Sequence, residues 1–154
     1  MNAEPKMKCA NADDAAHYFR ANSGRAAEHV VDSLWVLPLD NDRYFKGCHE
    51  VKTKVFASPV LFADEVFSAD YLKGAEEFIF IHFRPGIETG ADAESKARAR
   101  AMILEGAKRG CDLLDYIIIG KASERFKDGV FGLAYYKKAF NSDDPFPPPK
   151  RKRP

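Results

Sequence analysis

Glu77-Phe-Ile-Phe-Ile-His-Phe83 and Leu113-Leu-Asp-Tyr-Ile-Ile-Ile-Gly120 decide the fold. Each is apolar at nearly every position rather than at alternate ones, the pattern of a strand covered on both faces. Between them, Asp92–Arg109 carries helical spacing, with Ala93, Ala97, Ala101, Leu104 and Lys108 down one side and Gly110 as the stop. Working outward, Asn11-Ala-Asp-Asp14 opens a short helix with Ala16, Phe19 and Tyr18 on its apolar side, closed by Asn22-Ser-Gly24. Val30–Leu39 reads as another strand apolar on both faces, with Asp40-Asn-Asp42 as its turn. Tyr44–Ala57 reads as a longer strand, bulged near Gly47, from the alternation of Val51, Thr53 and Val55. Phe62, Val66, Ala69 and Leu72 predict one amphipathic helix over Phe62–Gly74. Arg84–Ala91 reads as a Pro/Gly loop and Val130–Tyr136 as a last strand. The order α-β-β-α-β-α-β-β implies an α/β domain whose helices flank a mixed β-sheet.

A chain of 154 residues, 45% hydrophobic and 31% charged, has the size and composition of one globular domain. Residues 1–140 are read as that domain and 141–154 as an extended, disordered Pro-rich tail ending in Lys150, Arg151, Lys152 and Arg153. The net charge is +1, but without those four cations the chain holds 20 Lys and Arg against 23 Asp and Glu. Composition alone makes no case for a nucleic-acid surface. No apolar run approaches the roughly 20 residues that span a bilayer, and the start shows no leader pattern. No membrane association is expected. Three cysteines, Cys9, Cys48 and Cys111, with no CxxC pair fit reduced thiols in an intracellular, cytoplasmic setting.

Three segments together resemble the RadC-like branch of the JAB/MPN metalloprotease family. They are Asp32-Ser-Leu-Trp-Val-Leu-Pro-Leu-Asp40, Gly74-Ala-Glu-Glu-Phe-Ile-Phe-Ile-His-Phe-Arg-Pro-Gly86 with Asp64-Glu-Val-Phe67 before it, and Leu113–Gly120. In that family a strand ends in His-x-His-Pro-Ser-Gly, a helix follows, and a Leu-Leu-Asp-His-Ile-Ile-hydrophobic-Gly strand comes next. The resemblance spans about residues 12–137 and implies a cytidine-deaminase-like layout. It also implies a zinc hydrolase site. Two histidines leave one face of a strand; seven residues, a Ser and two further residues then lead to an Asp that is the third ligand, and a Glu on an early strand is the base for the zinc-bound water.

Residue by residue, the sequence departs from that motif. His82 matches the first histidine, and Arg84 stands at the second. Ungapped counting puts Asp92 at the Ser position and Ser95 at the Asp position, so these two residue types are exchanged. A one-residue deletion would bring Glu94 to the ligand position instead. The base position falls on Asp32, one methylene shorter than Glu. Arg84 is always charged and has no lone pair for zinc. The carboxylates of Asp32, Asp92, Glu94 and Glu88 are its candidate partners, and its guanidinium is expected to replace the metal's charge.

His17, His29 and His49 have no ligand spacing with His82. Asp32 reads as a carboxylate inside an apolar strand, Asp92 as a helix N-cap, and Asp115 as a buried-strand carboxylate, which the resemblance implies is structural. The leading reading is a pseudoenzyme: the fold without its zinc, serving as a binding module for a protein partner. An active zinc hydrolase of peptide or isopeptide bonds is the alternative, using His82 with Asp92 or Glu94 and Asp32 as base. A DNA-repair-associated protein making weak nucleic-acid contact through Lys150–Arg153 is the third. Those four residues also resemble a nuclear-localisation signal.

Overall fold

The computed structural model describes residues 7–23, 32–88, 92–124 and 126–132. Its centre is a five-stranded mixed sheet. In chain order the strands are β1 (Ser33–Leu39), β2 (His49–Val51), β3 (Glu77–Glu88), β4 (Asp112–Lys121) and β5 (Val130–Gly132), and across the sheet they run β2-β1-β3-β4-β5. β3 and β4 are parallel, while β1 runs antiparallel to both β2 and β3, and β5 antiparallel to β4. Three helices cover the sheet: α1 (Ala12–Asn22), α2 (Pro59–Phe67) and α3 (Ala93–Arg109).

Both faces of the sheet carry a core, which is why the decisive strands lack alternation. On one face Ala15, Ala16 and Phe19 of α1 pack on Trp35, Leu37, Ile79, Ile81, Ile117 and Ile119. On the other, Phe62, Val66 and Phe67 of α2 and Ala99 and Met102 of α3 pack on Val36, Phe78, Phe80, Tyr116 and Ile118. The register of β4 slips by one between Phe78 and Ile79 of its partner: Phe78 is opposite Leu113 and Ile79 opposite Asp115, so Leu114 is passed over. β1 is buried at all seven positions.

Several boundaries differ from those the sequence predicts. Pairing of β2 with β1 stops at Leu34↔Val51. The long strand over Tyr44–Ala57 is therefore replaced by bridges at Tyr44 and Phe45, the short β2, and a turn in which the Thr53 hydroxyl accepts from the Val55 N–H at 3.0 Å. The predicted helix Phe62–Gly74 is two pieces. α2 begins earlier, at Pro59, and ends at Ser68, whose N–H and hydroxyl both donate to the Asp64 carbonyl; a 3-10 turn follows over Asp70–Leu72. Part of the predicted loop Arg84–Ala91 belongs to β3, which pairs on through Arg84↔Gly120 to Glu88↔Lys121 with a bulge between. Asp32 precedes β1 rather than lying inside it, and its side chain is 49% exposed. Val30, Val31 and the end of the predicted last strand lie outside the described residues, as does the tail Asn141–Pro154.

The side of α3 expected to face the core is wrong in detail. Its buried stripe is Ser95, Arg98, Ala99, Met102 and Gly106, and Leu104 points to solvent. A stripe containing Ser, Arg and Gly does not register as apolar. Gly106 is required by space: a Cβ there would run into the carbonyl of Cys111, just before β4.

Candidate functional site

β3 and the N-terminus of α3 meet beside the start of β1, and there five of the sequence-selected residues come together. His82 and Arg84 leave β3 two residues apart, so both project from one face of the strand. Asp32 precedes β1 and places one oxygen between them: its Oδ2 lies 3.3 Å from His82 Nε2 and 3.2 Å from Arg84 Nε. The guanidinium spans on to α3, with Arg84 Nη1 donating to Asp92 Oδ2 at 3.2 Å. Asp92 is the helix N-cap, its other oxygen accepting from the Ser95 N–H at 2.7 Å.

An ionised carboxylate only accepts hydrogen bonds, so the contact with Asp32 fixes the His82 proton on Nε2. Nδ1 is then the bare nitrogen, and it is buried with no hydrogen-bond partner among the described residues. Burial, followed by the adjacent Arg84 charge, pushes the His82 pKa down to about 4 despite the Asp32 carboxylate, so the ring is neutral at pH 7. For Asp92 burial opposes ionisation, but the Ser95 hydrogen bonds and the charges of Arg84 and Arg98 outweigh it and hold the carboxyl below its usual range.

Beneath this group lie three residues that the sequence reading did not single out. Arg98 on α3 is buried, donates from Nε to the Tyr116 hydroxyl at 3.0 Å, and stacks its guanidinium 3.7 Å from the centre of the Phe56 ring. Burial raises the Tyr116 pKa, partly offset by Arg98. Phe56 also meets the His82 ring edge-on, centroids 5.2 Å apart. Arg98 gave no signal in the sequence, because the apolar side predicted for this helix runs through Ala97 and Ala101 and leaves Arg98 off it. Tyr116 did carry one: it stands where the family's strand has His.

Glu94 is not brought to His82. Its side chain is 82% exposed and lies 3.8 Å from Arg98. The side chain of Glu88 and the residues Lys150–Arg153 lie outside the described residues. Among the described residues no three His, Cys, Asp or Glu side chains are placed to share a metal ion. A zinc site needs three neutral or anionic donors around an open position. Here one imidazole carries its proton on the facing nitrogen, one ligand position is a guanidinium and another is a hydroxyl, and this set does not fit zinc.

Fold and site together define an α/β domain of the JAB type with an ion-paired cluster at the strand ends. The sequence model of the RadC-like JAB domain matches residues 9–128, so the chain belongs to that family. It is also similar to two proteins named UPF0758 protein. The one from Chlorobium phaeovibrioides is 27% identical over 114 residues, 74% of this chain and 50% of its own length. The one from Chlorobium luteolum is 27% identical over 109 residues, 71% of this chain and 49% of its own. The chain thus spans about half the length of the curated relatives it matches.

Proposed function

We propose that this chain is a RadC-like JAB domain in which the Arg84 guanidinium stands in for the metal ion, and that it serves as a binding module rather than a hydrolase. The observation that carries this is the bridge from Asp32 through Arg84 to Asp92, both contacts at 3.2 Å, in the position where the motif needs a second histidine. A unit charge repels another at 4 Å by about 4 kcal/mol at an effective dielectric of 20, and a divalent ion about doubles that. Arg84 both removes a ligand and opposes the ion. Nor does His82 with Asp32 make a general base by itself, since the ring nitrogen left without a proton is buried. The partner proposed is another protein.

Metal content tests the reading. Purified, untagged protein is expected to contain no zinc and to show no chelator-sensitive cleavage of peptide or isopeptide bonds. Near-stoichiometric zinc in the wild type would overturn it and return the hydrolase reading.

A further inference from the structure

Arg84 accounts for the mouth of the site but not for the buried cation behind it. Arg98 is 2% exposed, its Nη2 is 3.5 Å from the Ser95 hydroxyl, and it shares the Phe56 ring with His82. Ser95, which it touches, is the position where the motif requires the third ligand.

We propose that the metal site is closed twice, by two guanidinium groups at two depths, and that Arg98 opposes a divalent cation even when Arg84 is gone. The proposal rests on the metal-free reading above. Restoring the second histidine leaves a hydroxyl at position 95 and a fixed cation behind it. Adding a carboxylate at 95 does not complete the site either, because the new carboxylate faces Arg98 Nη2 and pairs with the guanidinium in preference to an ion. Tyr116 completes the arrangement by giving Arg98 Nε an acceptor within the core. Only removal of Arg98 frees the carboxylate to ligate.

Calorimetric zinc titration of the full chain tests this on three variants: Arg84→His, Arg84→His with Ser95→Asp, and that pair with Arg98→Met. Circular dichroism and thermal unfolding check the fold of each. The single variant is expected not to bind, and the double variant to bind at least about tenfold more weakly than the triple, as a nearby fixed charge dictates. Where the triple variant does not fold, Arg98→Gln replaces Arg98→Met, keeping a hydrogen-bond donor for Tyr116. Tight binding by the single variant overturns the proposal, as does a folded triple variant that binds no better than the double. Zinc in the wild type would overturn the metal-free reading together with this inference. A metal-free wild type with a tight-binding Arg84→His variant would overturn only the second closure.

Discussion

Arg84 and Arg98 carry the same charge in very different surroundings, and their substitutions should differ accordingly. The Arg84 side chain is 23% exposed, and its carboxylate partners are each about half exposed at 49% and 48%, so solvent screens both pairs. Arg84→Ala is expected to cost under about 1 kcal/mol. Arg98→Ala removes a buried stack on Phe56 and leaves the Tyr116 hydroxyl without its donor, which should cost roughly 2–3 kcal/mol. Urea unfolding of the two variants checks the ranking, and equal losses would contradict it. His82 supplies a pH signature. Its folded pKa of about 4 lies below its ordinary value, so the unfolded chain binds the extra proton first as pH falls. Stability is therefore full above pH 6.5 and declines between there and about pH 4, by up to about 3 kcal/mol. Asp92, also held low, loses its contribution at still lower pH, in the same direction. Unfolding of wild type and His82→Gln at pH 7 and pH 4.5 should show the wild type losing more on acidification.

Elements that rest on apolar composition were legible, and those that rest on a single polar group were not. β3 and β4 stand out because both sheet faces are covered, and the order of helices and strands follows from the spacing of such runs. The break in the helix after Phe67 depends on one serine turning its hydroxyl to the backbone, which no periodicity reports. The exchange of Asp92 and Ser95 was visible by counting, and the N-cap gives it a local reason. The layer below was hidden, since Phe56, Arg98 and Tyr116 come from a turn, a helix and a strand far apart in the chain. The stripe of α3 makes one further test. Gly106→Ala gains about 1 kcal/mol of helix propensity but drives a Cβ into the Cys111 carbonyl. A net loss of about 1–2 kcal/mol is expected after overpacking is counted. A gain in thermal stability would mean that α3 and β4 can separate at little cost.

At the scale of the whole molecule, two packed faces carry the fold and the site lies at the ends of the strands. Treatment with EDTA should therefore leave the melting temperature unchanged, as differential scanning calorimetry would show; a lowered melting temperature would point to a structural metal. No helix among the described residues is long and apolar enough to cross a membrane. The basic run Lys150–Arg153 belongs to a separate proposal of weak nucleic-acid contact. If it holds, binding to a DNA duplex should weaken steeply with salt and vanish on truncation after Asn141.

The cores on the two faces are built by α1 on one side and by α2 and α3 on the other, and the Asp32–Arg84–Asp92 bridge belongs to neither. Such a division makes the scaffold permissive over generations. Mutations at the strand ends can exchange one chemistry for another without a passage through unfolded ancestors. The sheet supplies inheritance, and its rim is left open to reinvention.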